Sequence, residues 1–242
     1  MNVVIVGHGP SLKGAGLGEK IDACDKVVRL KNCFMLLAEK HDYGTRTDVM
    51  CSSTEVLPTL TKVKAKEYWG YPKRGTFNQA RIDWLSRAVE YAPVRVPLRV
   101  CNFWNYFFIE LGGRHPNVST GMGAMVIALD QFKPETLYLA GFDNVIDPVI
   151  KGYKSTVPTA FNDGGKKDTG HDWETEHKML PYLAEYFKTT IKDLRGLYRV
   201  GYNDVPRRRV SDVWETDAGG VGEGVPEASG QDSGLYRGAD SA

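Results

Sequence analysis

The apolar run Val3-Val4-Ile5-Val6 breaks straight into the loop Gly7-His8-Gly9-Pro10-Ser11-Leu12-Lys13. No feature of this chain narrows its fold more. A run that is apolar at every position offers no face to water, so it reads as a strand buried on both sides. The same beat of short strand and helix continues. Lys26–Leu30 and Asp48–Ser52 are expected strands, and Glu55–Lys64 carries a helical pattern. Trp69–Gly75 is rich in Gly and Pro and reads as a connection. Asn78–Glu90 is an expected helix, Val94–Val100 a strand, and the aromatic-rich Asn102–Leu111 a helix. Met122, Met125, Val126, Leu129 and Phe132 fall at helical spacing within Gly121–Phe132. Thr136–Ala140 is a strand closed by Gly141, and Trp173–Lys188 is a helix. This alternation predicts an α/β, Rossmann-like fold, a mostly parallel sheet flanked by helices, with ligands at the C-terminal ends of the strands.

At 242 residues, 42% hydrophobic and 25% charged, the chain suits one globular core. No run approaches the roughly 18 apolar residues of a membrane span. The opening MNVVIVGHGPSL lacks a basic n-region and reads as a strand rather than a signal peptide, which predicts a cytoplasmic protein. Cys24, Cys33, Cys51 and Cys101 show no metal-ligand spacing and are expected as buried, reduced thiols. Ser211–Ala242 holds seven acidic residues against one basic; the body before it, with 30 basic and 23 acidic residues, is net +7. A basic body suits an anionic ligand. The glycine-rich, acidic segment 211–242 is expected to form a disordered tail behind a single domain spanning 1–210. Arg207-Arg208-Arg209 is a solvated end of the fold or a small anion-binding patch.

Three segments carry chemistry. The Gly7–Lys13 loop follows the first strand, and its glycines allow close backbone approach to a phosphate-bearing ligand. It is neither a P-loop nor a G-x-G-x-x-G fingerprint, and a tight structural turn explains it almost as well. Val118-Ser119-Thr120-Gly121-Met122 opens a helix; its hydroxyls cap that helix or bind an anion at its positive end. Gly170-His171-Asp172-Trp173-Glu174-Thr175-Glu176 sets His171 just before another helix, with Asp172 as the expected cap. A helix N-terminus keeps imidazole neutral, as a base requires, whereas the nearby carboxylates act in the opposite direction. No Asp-x-Asp, H-E-x-x-H or G-x-S-x-G occurs, and His171 and His177, six apart, do not share a helix face. A metal site is not expected.

In this order the segments resemble the sialyltransferases, animal and bacterial. Val118–Met122, Ala128-Leu129 and Leu137-Tyr138-Leu139-Ala140-Gly141-Phe142-Asp143 are similar to the small sialylmotif, which runs P-S-T-G-M, apolar helix, strand, then G-F-G or G-I-D. Gly7–Leu12 resembles the bacterial G-N-G-P-S-L loop, with His8 where the family has asparagine. Arg29-Leu30-Lys31-Asn32 resembles R-x-N of the large sialylmotif with one residue more between Arg29 and Asn32. His171 and Glu176 fit H-x4-E, and valine stands before Ser119 in place of proline. The resemblance runs from about Val3 to Glu176.

The resemblance implies a sialyltransferase-like variant of the GT-A architecture with a mobile lid, for which Asn144–Thr169 is the candidate. It also implies an inverting, metal-independent glycosyltransferase that moves sialic acid or a related sugar from a CMP-activated donor. The acceptor is a hydroxyl on a glycan, lipid-linked sugar, protein or modified nucleobase. His171 is the implied general base, with Glu176 orienting it or favouring the helix start and Tyr153 stabilising the phosphate. Donor binding is assigned to Gly7, His8, Gly9, Pro10, Ser11, Arg29, Asn32, Ser119, Thr120, Gly121, Gly141 and Asp143. No cofactor is expected beyond the CMP-sugar substrate. Two other readings stay open: a pterin pyrophosphokinase-like enzyme, whose loop also runs G-x-G-P-S-L, and a nucleotide- or nucleic-acid-binding module without catalysis.

Overall fold

β1 (Asn2–Val6) lies inside an eight-stranded sheet, between β2 (Lys26–Leu30) and β6 (Thr136–Ala140). This computed structural model describes residues 1–31, 33, 36–53, 64–71, 93–95, 98–114, 118–148 and 171–204, all within the unit Met1–Arg208. The other strands are β3 (Val49–Ser53), β4 (Glu67–Tyr71), β5 (Val94–Arg95), β7 (Thr190–Asp193) and β8 (Arg199–Gly201). Their order is β5-β4-β3-β2-β1-β6-β7-β8. All neighbours pair in parallel except β7 and β8. Val3, Val4 and Ile5 are wholly buried, as a strand covered on both faces requires, and each such side chain contributes about 1.5–3 kcal/mol.

One face of the sheet, with Val4, Val6, Val27 and Ala140, packs against Leu12, Leu17, Ile21 and Tyr43. These come from the turn after β1 and from the short helices α1 (Gly18–Asp22) and α2 (Lys40–Tyr43). The other face carries α4 (Thr120–Phe132), whose residues Gly121–Leu129 are all buried. A helix that is apolar all round belongs in a core. Phe132 sits 5.2 Å from Trp69, ring centre to ring centre. α3 (Leu98–Glu110) packs on α4, and α6 (Trp173–Tyr186) packs on α3 through Phe107–Tyr182 and Trp104–Tyr186 ring pairs at 5.1 and 5.5 Å. The four cysteines are buried and unpaired.

The α/β, mostly parallel architecture is as the alternation of elements implies. Three local expectations are corrected. Trp69 belongs to β4, not to a connection; Tyr68, Trp69 and Tyr71 are buried, and bulky aromatics favour a pleated surface. The expected strand Val94–Val100 ends at Arg95, and Leu98 already opens α3, since Pro97 between them cannot donate to a strand ladder. The β7–β8 hairpin has no counterpart in the expected pattern. The expected helix Asn78–Glu90, most of Glu55–Lys64, Arg207–Arg209 and the tail 211–242 lie outside the described residues. Among the described residues no helix is long and apolar enough to cross a membrane.

α4 can lie this close to the sheet because position 123 has no side chain. A Cβ there would overlap the ring of Tyr71, itself buried and hydrogen-bonded to Asn105. Gly123→Val is therefore expected to cost about 1–3 kcal/mol or more through overpacking, measured as a lowered midpoint in chemical denaturation.

Candidate active site

The strand order reverses at β1, and in open α/β sheets the crevice that takes a ligand lies at such a reversal, between the loops that leave the C-terminal ends of the two strands. The loop after β1 is fixed to the end of β6 in three steps. Gly7 N–H donates to the Ala140 carbonyl (2.8 Å) and Gly9 N–H to the Gly141 carbonyl (2.9 Å), while Ser11 N–H donates to Asp143 Oδ2 (3.0 Å). A Cβ at Gly7 or Gly9 would stand 2.5 or 2.7 Å from the Gly141 oxygen. The close approach that these glycines permit is thus first of all to the protein's own chain. Gly141 itself has φ +70°, a left-handed turn that releases the chain into α5 (Asp143–Ile146). Pro10 opens a 3-10 turn, Pro10–Leu12. Beyond it Asp42 accepts the Gly14 and Gly16 amides, which hold its carboxyl below the usual range.

His8 is half-buried beside the end of β2. Burial first, and the Lys31 charge second, lower its pKa from 6.5 to about 4, against hydrogen bonding to the Leu30 and Lys31 backbone. The ring is therefore neutral at pH 7.

Ser119 is the N-cap of α4: its Oγ accepts the Met122 N–H at 3.1 Å. Its own N–H and O–H donate to the two oxygens of Glu176, at 2.5 and 2.8 Å. Glu176 is wholly buried. The Ser119 hydroxyl proton is thereby committed to Glu176. The Thr120 hydroxyl, in the first turn and half-buried, bonds no described residue. Asn105 braces the same loop from below: its Oδ1 accepts the Val118 N–H (3.1 Å) and the Tyr71 hydroxyl (2.5 Å).

His171 precedes α6, half-buried, with its ring 4.7 Å from that of Trp173. Asp172 is the N-cap, accepting the Thr175 N–H and hydroxyl, and it also takes the Arg114 N–H from the end of the α3 segment. Burial raises the Asp172 pKa, but these donors and the Arg114 charge outweigh it and leave it lowered. Glu176 lies in the first turn of α6, so its hold on Ser119 joins the end of α6 that follows His171 to the start of α4.

Arg29 is not part of this cluster. It lies on the α1–α2 face of the sheet, wholly buried, with Nη2 donating to the Tyr43 carbonyl (2.7 Å) and Nε to that of Arg46 (2.9 Å). Strand parity puts it on the face opposite α4, where it braces the core. Asp143 is near the crevice but is occupied as a brace, on Ser11 and with Arg195 at 3.2 Å. Asn32, Tyr153 and all but the first residues of the lid candidate lie outside the described residues. Among the described residues no three His, Cys, Asp or Glu groups come together as a metal-ligand set. Asp172 caps α6 as its place before the helix implies, whereas Asn105, Arg114 and Arg195 escaped sequence reasoning, because ordinary polar residues give no signal until the fold pairs them.

Two outcomes follow from this geometry. Glu176→Ala leaves a buried amide and hydroxyl without an acceptor and is expected to cost about 2–4 kcal/mol in denaturation, with Glu176→Gln retaining part of that. His8 makes stability depend on pH. Between pH 6.5 and about 4 the unfolded chain binds a proton at His8 that the folded chain refuses. Stability is thus lost as pH falls through this window, by up to about 3 kcal/mol. His8→Asn should flatten that slope in urea titrations taken across it.

The model of glycosyltransferase family 29 (sialyltransferase) matches residues 2–117. No curated protein sequence matches the chain. Among solved structures, a mammalian sialyltransferase superposes with a TM-score of 0.53 at 19% identity, over 81% of this chain and 69% of that one. The same description holds for a mammalian sialyltransferase in complex with Gal-beta-1-3GalNAc-ortho-nitrophenol, at a TM-score of 0.51, 19% identity and the same two coverages. The sialyltransferase CST-II of Campylobacter jejuni, in complex with trisaccharide acceptor and CMP, superposes with a TM-score of 0.53 at 13% identity, over 90% of this chain and 99% of that one. Those likenesses establish the fold. Matched over residues 2–117 by the family's model and folded like these enzymes, the chain resembles the sialyltransferases.

Proposed function

We propose that this protein is a glycosyltransferase that moves sialic acid or a related sugar from a CMP-activated donor to a glycan hydroxyl, with inversion and without a metal. The observation that carries the reading is the double hydrogen bond from Ser119 to Glu176. It ties the start of α4, a natural seat for a phosphate, to the helix that begins beside His171. In this reading the phosphate of CMP lies against the first-turn amides of α4 and the Thr120 hydroxyl. His171 takes the proton of the acceptor hydroxyl while that oxygen attacks the anomeric carbon. The bond from the anomeric carbon to the phosphate oxygen breaks, and CMP leaves with the electron pair. General-base catalysis of this kind contributes roughly 10²–10⁴-fold. The leaving group carries one phosphate, and the chain has no Asp-x-Asp to hold a cation against it. Amides, Thr120 and Tyr153 supply the stabilisation instead. The glycan acceptor is proposed because one superposed enzyme was crystallised with trisaccharide acceptor and another with Gal-beta-1-3GalNAc-ortho-nitrophenol.

His171→Ala is expected to remove sugar transfer from CMP-sialic acid while CMP still binds within about threefold in calorimetry. Equal loss of both in a folded variant would show His171 to be structural. Transfer is expected to persist in EDTA; loss that only Mg²⁺ or Mn²⁺ restores would overturn the metal-free mechanism.

A further inference from the structure

Arg195 lies in the turn between β7 and β8, outside every segment that resembles the family. It is nonetheless wired to the loop after β1. Leu194 N–H donates to the Leu139 carbonyl at 2.8 Å, which fixes the turn beside β6. From there the Arg195 side chain, 23% exposed, reaches two buried carboxylates. Nε donates to both oxygens of Asp193, at 3.3 and 3.0 Å. Nη2 stands 3.2 Å from Asp143 Oδ1, off the line of a hydrogen bond, so this second contact is an ion pair. The other oxygen of Asp143 accepts the Ser11 amide, and Gly9 lies so near that a Cβ there would strike it.

Asp143 and Asp193 are 5% and 2% exposed. Two carboxylates this poorly hydrated, sharing one cation, repel each other once that cation is gone. The carboxylate with the weaker alternative support moves towards water, and that is Asp143, whose remaining described partner is a single backbone amide. Ser11 would move with it, and so would the Gly9–Ser11 turn. The Ser11 hydroxyl in this turn and the side-chain oxygen of Asn144, next to Asp143 in the chain, are buried without a partner among the described residues, as expected of groups that meet a ligand.

We propose that Arg195 is a positioning residue: acting through Asp143, it holds the Gly7–Ser11 loop in the shape that receives the nucleotide. The proposal rests on the CMP-sugar reading above, and its test separates the two. Arg195→Met keeps the bulk of the stem and removes the charge. Its CMP dissociation constant and its KM for CMP-sialic acid are expected to rise about tenfold, with kcat within about twofold, and amide exchange over residues 7–13 should accelerate. Arg195→Lys should recover part of each. In an Asp143→Asn background, where the repulsion is absent, Arg195→Met should have little further effect; this cycle also serves if the single variant fails to fold. Unchanged affinity and exchange in folded Arg195→Met, or equal losses with and without Asp143→Asn, overturn the proposal. Failure of the unaltered protein to bind CMP overturns the CMP-sugar reading instead, and the exchange measurement alone then decides the role of Arg195.

Discussion

Everything about the crevice follows from the position of β1, which pairs with β2 on one edge and β6 on the other. Right-handed crossovers oblige the chain leaving β1 to cover one face and the chain leaving β6 to cover the opposite one. The structure obeys: α1 and α2 pack under Val4 and Val27, whereas α6 joins α3 and α4 on the other side. The two loops part above the sheet at the point where Gly7 and Gly9 clip onto Ala140 and Gly141. The opening between them is a result of handedness before it is a matter of any side chain.

Within that frame, buried carboxylates do the joining. Glu176 joins α6 to α4, Asp143 joins α5 to the first loop, Asp172 joins α6 to Arg114, and Asp42 closes the turn at Gly14 and Gly16. In each the acceptor takes main-chain N–H groups that no strand or helix can satisfy. An amide left bare in such a place costs about 1–3 kcal/mol, so one acid satisfies the loop and sets its shape. Acidic side chains thus gather around a region proposed to bind an anion, but their charge is spent on amides and on Arg195.

The strands β1, β2 and β6 and the helices α4 and α6 were legible in the sequence because each is a periodic pattern complete in itself. β4 was not, since Glu67-Tyr68-Trp69-Gly70-Tyr71 runs into Gly and Pro on its C-terminal side and resembles a connection. Arg29 shows the limit for the site. The family resemblance assigned Arg29 to the donor by its place in a motif, whereas only the fold shows that strand parity turns its side chain to the α1–α2 face, where two carbonyls accept from it. Ser119 caps α4, one of the two readings its sequence offered, while the donation of its hydroxyl to Glu176 could not be read there. The Asp143–Arg195 pair was illegible, because its two members meet only once β6 and β7 lie side by side.

The central placement of β1 also has a consequence for synthesis on the ribosome. Asn2 pairs with Thr136, so during synthesis one edge of β1 stays open until about 130 further residues have been added. At ordinary elongation rates that interval is roughly 10–30 s. Throughout it the apolar run Val3–Val6 presents an unpaired edge of the kind that recruits other strands. The nascent chain is thus most exposed to misassembly just before β6 appears, and pausing or chaperone capture at that stage would govern the yield of folded protein more than the stability of the finished sheet does.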